Sequence, residues 1–222
     1  MIEYQFNYFI KQAVVESVAG SVISLMGAFK NKFLPTFVDE MTAGSNKKAI
    51  RMVGIEEYNG ASVLFASECI HITILYREDG LNKIDALEKL QVINGAINEV
   101  NPAVKSWRLS VLVSSIDRAT DSFNSKMYKK YFGEDNSNEY FEWNVRRAKK
   151  SSSSSEALNV ITTINRNTVM NAFNPTEAFD AIVTQIDINT VPEVTSERFH
   201  IDTKLTSILL DSAEAILSEE IS

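Results

Sequence analysis

The stretch that decides the fold is Ser67–Val100, SECIHITILYREDGLNKIDALEKLQVINGAINEV. Its first ten residues alternate, with Ile70, Ile72 and Ile74 on one side and Cys69, His71 and Thr73 on the other, the pattern of a strand with one buried face. From Asn82 the apolar period lengthens to that of a helix. Ile84, Leu87, Leu90, Ile93 or Asn94, Ile97 and Val100 form one stripe, and Asn101-Pro102 ends it. The same cadence returns as an alternating strand Asp180–Val191 and a helix Asp202–Ile221, with Leu205, Ile208, Leu209, Ala213, Ile216 and Leu217 on its stripe and Glu214 on the predicted solvent side. Two related strand–helix halves follow. The expected fold is α+β, an antiparallel sheet with its helices on one face, divided into residues 1–118 and 119–222 within one compact domain or two tightly joined ones.

Around these units the signals are shorter. Ile50–Glu57 and Ala61–Ala66 read as a hairpin around Tyr58-Asn59-Gly60, following a Gly-Ser-Asn loop at Gly44–Asn46. Trp107, Leu109, Val111 and Val113 mark a strand after the first helix. Ala13–Phe29 reads as a helix, with helical spacing at Val14, Val18, Val22, Leu25, Met26, Phe29 and Phe33 and with Pro35 as the stop. The alternative there is a pair of strands, Ile2–Tyr8 and Ala13–Val18. A long hairpin is expected between the halves, with Phe141, Trp143 and Val145 on the core side of one arm and Leu158, Val160 and Ile164 on the other. The run Ser151–Ser155 reads as a flexible, solvated connection.

The 222 residues are 45% hydrophobic and 23% charged, a composition able to bury a core. A net charge of −7 opposes non-specific binding to phosphate backbones unless basic residues gather locally. A lone cysteine, Cys69, cannot close an intrachain disulfide, and with two histidines in the chain neither a metal site nor a cofactor is expected. The expected compartment is the reducing cytoplasm. The first ten residues lack the basic start and apolar run of a signal peptide, and no segment reads as a membrane span.

Catalytic motifs are also missing: no glycine-rich phosphate loop, no Gly-x-Ser-x-Gly, no His-Glu-x-x-His and no Cys-x-x-Cys. Cys69 and His71 share a strand face at a spacing too wide for easy hydrogen bonding and read as a buried thiol beside a satisfied or half-exposed imidazole. An enzyme built on His71 and nearby carboxylates is the remaining catalytic reading. Asp187, between Ile186 and Ile188, is expected to face solvent.

One segment rises above this background. Lys126, Lys129, Lys130, Arg146, Arg147, Lys149 and Lys150 are interleaved with Tyr128, Tyr131, Phe132, Tyr140, Phe141 and Trp143. In an acidic chain this is a charge asymmetry. Such a surface suits an acidic protein partner or a second copy of the chain. Its alternative use is single-stranded nucleic acid, held by cations at phosphates and by exposed aromatics, Trp143 among the candidates, stacked on bases. Glu134, Asp135, Glu139 and Glu142 dilute it, and a merely solvated hairpin is the alternative to any contact surface.

Trp107-Arg108-Leu109-Ser110-Val111 after a strand and helix, then a long hairpin, then Gln185-Ile186-Asp187-Ile188 before a final helix, resembles a sporadically distributed family of bacterial and archaeal proteins with no assigned activity. The likeness runs from about Ala61 onward. It implies a small prokaryotic or phage protein, and the scattered distribution implies an accessory role in defence or toxin-neutralising loci. The expected function is therefore protein binding or assembly without catalysis.

Overall fold

The computed structural model describes residues 1–42, 45–77, 81–134, 137–171 and 174–222. Strand β1 (Ile2–Phe9) leads through helix α1 (Ala19–Ala28) into β2 (Phe33–Thr42), β3 (Ser45–Gly54), β4 (Ala61–Phe65) and β5 (Cys69–Tyr76), and α2 (Lys83–Val100) closes this half. After the short β6 (Lys105–Ser106) a similar order follows with one sheet strand fewer: β7 (Arg108–Arg118), α3 (Asp121–Phe132), β8 (Trp143–Ser153), β9 (Glu156–Asn171) and β10 (Asn174–Thr190), then the short β11 (Phe199–His200) and α4 (Lys204–Ile221).

The long strands form one nine-stranded sheet in the order β2-β3-β4-β5-β1-β7-β10-β9-β8. All its pairings are antiparallel. In each half the first strand pairs with the last, β1 with β5 and β7 with β10. The halves join where β1 lies against β7, with Tyr4 opposite Val113 and Phe6 opposite Val111. That geometry makes β2 and β8 the two outer strands.

Cross-strand partners share a face, so burial can be followed across the sheet. Tyr4, Phe6 and Tyr8 continue into Ile70, Ile72 and Ile74 on one side and into Val111, Val113, Ile186 and Ile188 on the other, all buried. Leu25, Leu90, Ile97, Leu209, Leu210 and Leu217 of α1, α2 and α4 join them in one cluster. A second cluster sets Met127 and Tyr128 of α3 on Trp143, Ile164 and Ile182 of the same sheet face. The four α-helices among the described residues thus lie on one face, as antiparallel sheets allow. The other face carries Gln5, Asn7, His71, Thr73, Ser110 and Asp187.

Several expectations need correction. Helix α1 starts at Ala19, not Ala13, because the β-branched Val14, Val15 and Val18 lack the propensity to extend it and Val18 offers no side-chain cap. Pro35 does not stop it. The stop is a Schellman turn in which Lys30 (φ 50°) and Asn31 (φ 57°) are left-handed, and Asn31 N–H donates to the Met26 carbonyl and Lys30 N–H to that of Gly27. Pro35 lies within outer strand β2, where a missing N–H is tolerated. Gly44 of the expected loop falls outside the described residues, and Ser45 begins β3.

On α2 the buried stripe is Ala86, Leu90, Ile93, Asn94 and Ile97, while Ile84 is 74% exposed. Glu214 is buried rather than solvent-facing: its Oε1 accepts a 2.6 Å bond from the Tyr4 hydroxyl, which in turn accepts the Asn82 N–H at 2.8 Å. The serine run is no loose connection. Ser151–Ser153 belong to β8, and only Ser154 and Ser155 turn the chain, both at positive φ.

Candidate interaction surface

The basic segment spans two elements that pack on each other. Helix α3 is delimited by Thr120, whose hydroxyl accepts the Phe123 N–H, and by left-handed Gly133. Its inner side seats Asn124, which ties the hairpin down: Oδ1 accepts the Trp143 indole N–H at 3.1 Å and Nδ2 donates to the Ser137 carbonyl at 3.3 Å. Arg166 opposite Trp143 holds Asp180 through Nε and Nη2 and the Tyr140 carbonyl through Nη1. The base of the hairpin is therefore rigidly built.

The eight residues singled out in the sequence fall into three groups. Trp143 is buried against Tyr128 and Phe132, so it offers no platform for a base. Lys126, Lys130 and Arg147 converge on the last turn of α4. Lys130 Nζ donates to the Glu219 and Glu220 carbonyls at 2.8 and 2.9 Å, Lys126 reaches the Ser222 carbonyl, and Arg147 pairs with the Glu220 carboxylate. Helix C-termini leave orphan carbonyls and a partial negative charge, so these cations stabilise α4. Tyr131 completes the clamp with a 2.5 Å bond to Glu220, and that bond together with burial raises its hydroxyl pKa.

Lys129, Arg146, Lys149 and Lys150 remain. Lys129 is exposed on α3. The other three lie on β8, where every residue from Arg146 to Ser152 is exposed. Phe141, expected in the core, is 83% exposed just before β8. Among the described residues nothing extends the sheet beyond β8.

The polar face of the sheet was less readable. His71, Asn7, Ser110, Asn189, Asn159 and Lys150 occupy one register row across six strands. Asn7 Oδ1 lies 2.7 Å from His71 Nδ1, and Asn189 Oδ1 accepts from Arg108 at 3.0 Å and from Asn159 at 3.2 Å. Asp187 faces this side, accepting from Ser110 at 2.9 Å and from Asn189 at 3.1 Å. The row joins strands far apart in sequence, so only the register reveals it.

Cys69 and His71 do meet on this face, yet the geometry disarms them. The thiol is 3.8 Å from Nδ1, the same nitrogen that faces Asn7. Burial pushes the Cys69 thiol up to about 12 and holds the His71 imidazole below its ordinary value, against the opposing influence of Glu40. Both groups are neutral near pH 7, so no thiolate–imidazolium pair forms. Among the described residues no three His, Cys, Asp or Glu side chains are placed to hold a metal ion, and no helix is long and apolar enough to cross a membrane.

No family model matches the chain, and no curated protein matches it.

Proposed function

We propose that this protein is a non-enzymatic binding or assembly component whose contact surface is the β8–β9 hairpin, and that its partner there is an acidic protein. The observation that carries this reading is the exposure of Arg146, Lys149 and Lys150 along an outermost strand. Core packing needs none of them. Lys126, Lys130 and Arg147, by contrast, already have intramolecular partners. The neutral Cys69 and His71 support a role without catalysis.

Nucleic acid is the weaker partner, because base stacking needs open rings. Trp143 and Tyr128 are buried and Tyr131 is bonded to Glu220, and the rings that stay open, Phe132, Tyr140 and Phe141, lie outside the strand that carries Arg146, Lys149 and Lys150. A second copy meeting β8 with its own β8 would set like charges opposite each other, which destabilises a strand pair. The biological setting that suits such a component is the cytoplasm of a prokaryotic or phage-infected cell, as an accessory subunit in a defence or toxin-neutralising system.

The test is co-purification from the native source with the wild type and with an Arg146→Glu/Lys149→Glu/Lys150→Glu variant, at low and moderate salt. A protein partner retained by the wild type, released by salt and absent from the variant is the expected result. Equal retention by both would move the contact surface elsewhere, and retention of nucleic acid in place of protein would favour the alternative.

A further inference from the structure

The outer strand β8 has a grammar of its own. Ser153 and Glu156 flank the two-residue turn Ser154-Ser155 and form the last pair of the hairpin. In a hairpin closed by two residues that flanking pair exchanges both of its backbone hydrogen bonds. Pairs then alternate along an antiparallel ladder. Ser151, Lys149, Arg147 and Val145 therefore bond inward to β9. The N–H and C=O groups of Ser152, Lys150, Ala148, Arg146 and Asn144 point outward, away from the sheet. No bulge interrupts the register from Trp143↔Arg166 to Ser153↔Glu156, so this parity holds for the whole strand.

The same parity governs side chains. Arg146, Ala148 and Lys150 stand on the helix-free face, opposite Thr163, Ile161 and Asn159, while Arg147 stands on the helix side with Glu220. One set of residues thus presents both the free backbone groups and two uncommitted cations, four positions apart, around a small apolar residue.

We infer that β8 binds its acidic partner by strand addition, selecting an extended segment with carboxylates at positions i and i+4 and a β-branched residue midway between them. This rests on the reading of β8 as the contact surface and adds its mechanism. The partner's backbone pairs with the outward groups of Arg146, Ala148 and Lys150, each facing residue with its Cα about 5.5 Å away. Its two carboxylates then meet Arg146 and Lys150 on the helix-free face, where opposite charges across a strand pair attract. The central residue packs on Ala148 beside Ile161. Arg147, held by Glu220, contributes no charge to recognition.

The inference is tested with three capped heptapeptides titrated into the protein at low ionic strength, followed through the amide shifts of β8. The first is Thr-Glu-Thr-Val-Thr-Glu-Thr, the second its isomer with adjacent glutamates, and the third the first peptide N-methylated on alternate amides that would face β8. The first should bind at least about tenfold more tightly than the other two, a difference of about 1.4 kcal/mol. Ala148→Pro should lose the same tenfold while keeping its thermal midpoint, since it removes an outward N–H that the β8–β9 ladder does not use. If that variant fails to fold, the methylated peptide still decides the matter.

Equal binding of all three peptides, abolished by Arg146→Glu with Lys150→Glu, would overturn strand addition and leave a purely electrostatic contact surface. Binding of none would overturn the inference and the reading of β8 beneath it. Self-association of the wild type that Ala148→Pro abolishes would also overturn it, by making a second copy the occupant.

Discussion

Glu214 shows how a single side chain can defeat a sequence pattern. A charged residue in the helix DSAEAILSEE reads as solvent-facing, yet it lies on the same side as Leu210 and Leu217 and is buried against the sheet. Its partner, the Tyr4 hydroxyl, comes from the far end of the chain, and burial and that bond raise the hydroxyl's pKa. Sequence spacing contains no trace of a contact between positions 4 and 214. The consequence is testable: Tyr4→Phe leaves a buried carboxylate without its donor and should cost about 1–3 kcal/mol in denaturant unfolding. For comparison, Leu209→Ala should cost about 2–5 kcal/mol, as expected for a leucine fully buried in the core. A Tyr4→Phe protein as stable as the wild type would mean that Glu214 is solvated instead.

At the scale of elements, alternation and helical period located β5, α2 and α4 almost to their ends and β10 at its C-terminal end, because each buries a single face and the period is visible. Strand β10 begins at Asn174, well before the expected Asp180. Elements whose limits depend on backbone geometry were harder to place. The Schellman turn after α1 uses Lys30 and Asn31, neither of which is glycine, and the β8–β9 turn uses Ser154 and Ser155 at φ 49° and 70°. Left-handed serine is costly, by roughly 1–2 kcal/mol per residue. Nothing in a run of five serines signals where a tight turn falls. Replacing the pair by Ser154→Asn and Ser155→Gly, the preferred residues for two successive positive-φ positions, should raise stability by about 1 kcal/mol. Thermal unfolding would reveal it, and a lowered midpoint would refute the turn assignment.

The basic segment divides at this scale as well. Lys126 and Lys130 are four residues apart, a spacing that already places them on one side of α3, but their target could not be read because α4 lies far along the chain. Arg146 and Arg147 are neighbours in sequence and opposite in role, one on the helix-free face and the other paired with Glu220. Period two explains the split once the strand is known to run through both.

The whole molecule is two strand–helix units fused across β1 and β7 into one sheet, with its helices on a single face and its ends at β2 and β8. Fusion hides the inner edges of both units and leaves an outer edge on each. On β8 that edge is long and carries Arg146, Lys149 and Lys150, residues that also discourage edge-to-edge aggregation. Whether β8 offers free backbone groups is the point on which the functional account turns. Residue-resolved amide hydrogen exchange of the isolated protein measures this directly. Free outward groups on β8 should give an alternation along the strand, with fast exchange at Arg146, Ala148 and Lys150 and slow exchange at Arg147 and Lys149, whose amides bond to β9. Uniform protection of all five amides would contradict it by showing that the edge is already covered, and uniform lability would show that the hairpin is not formed.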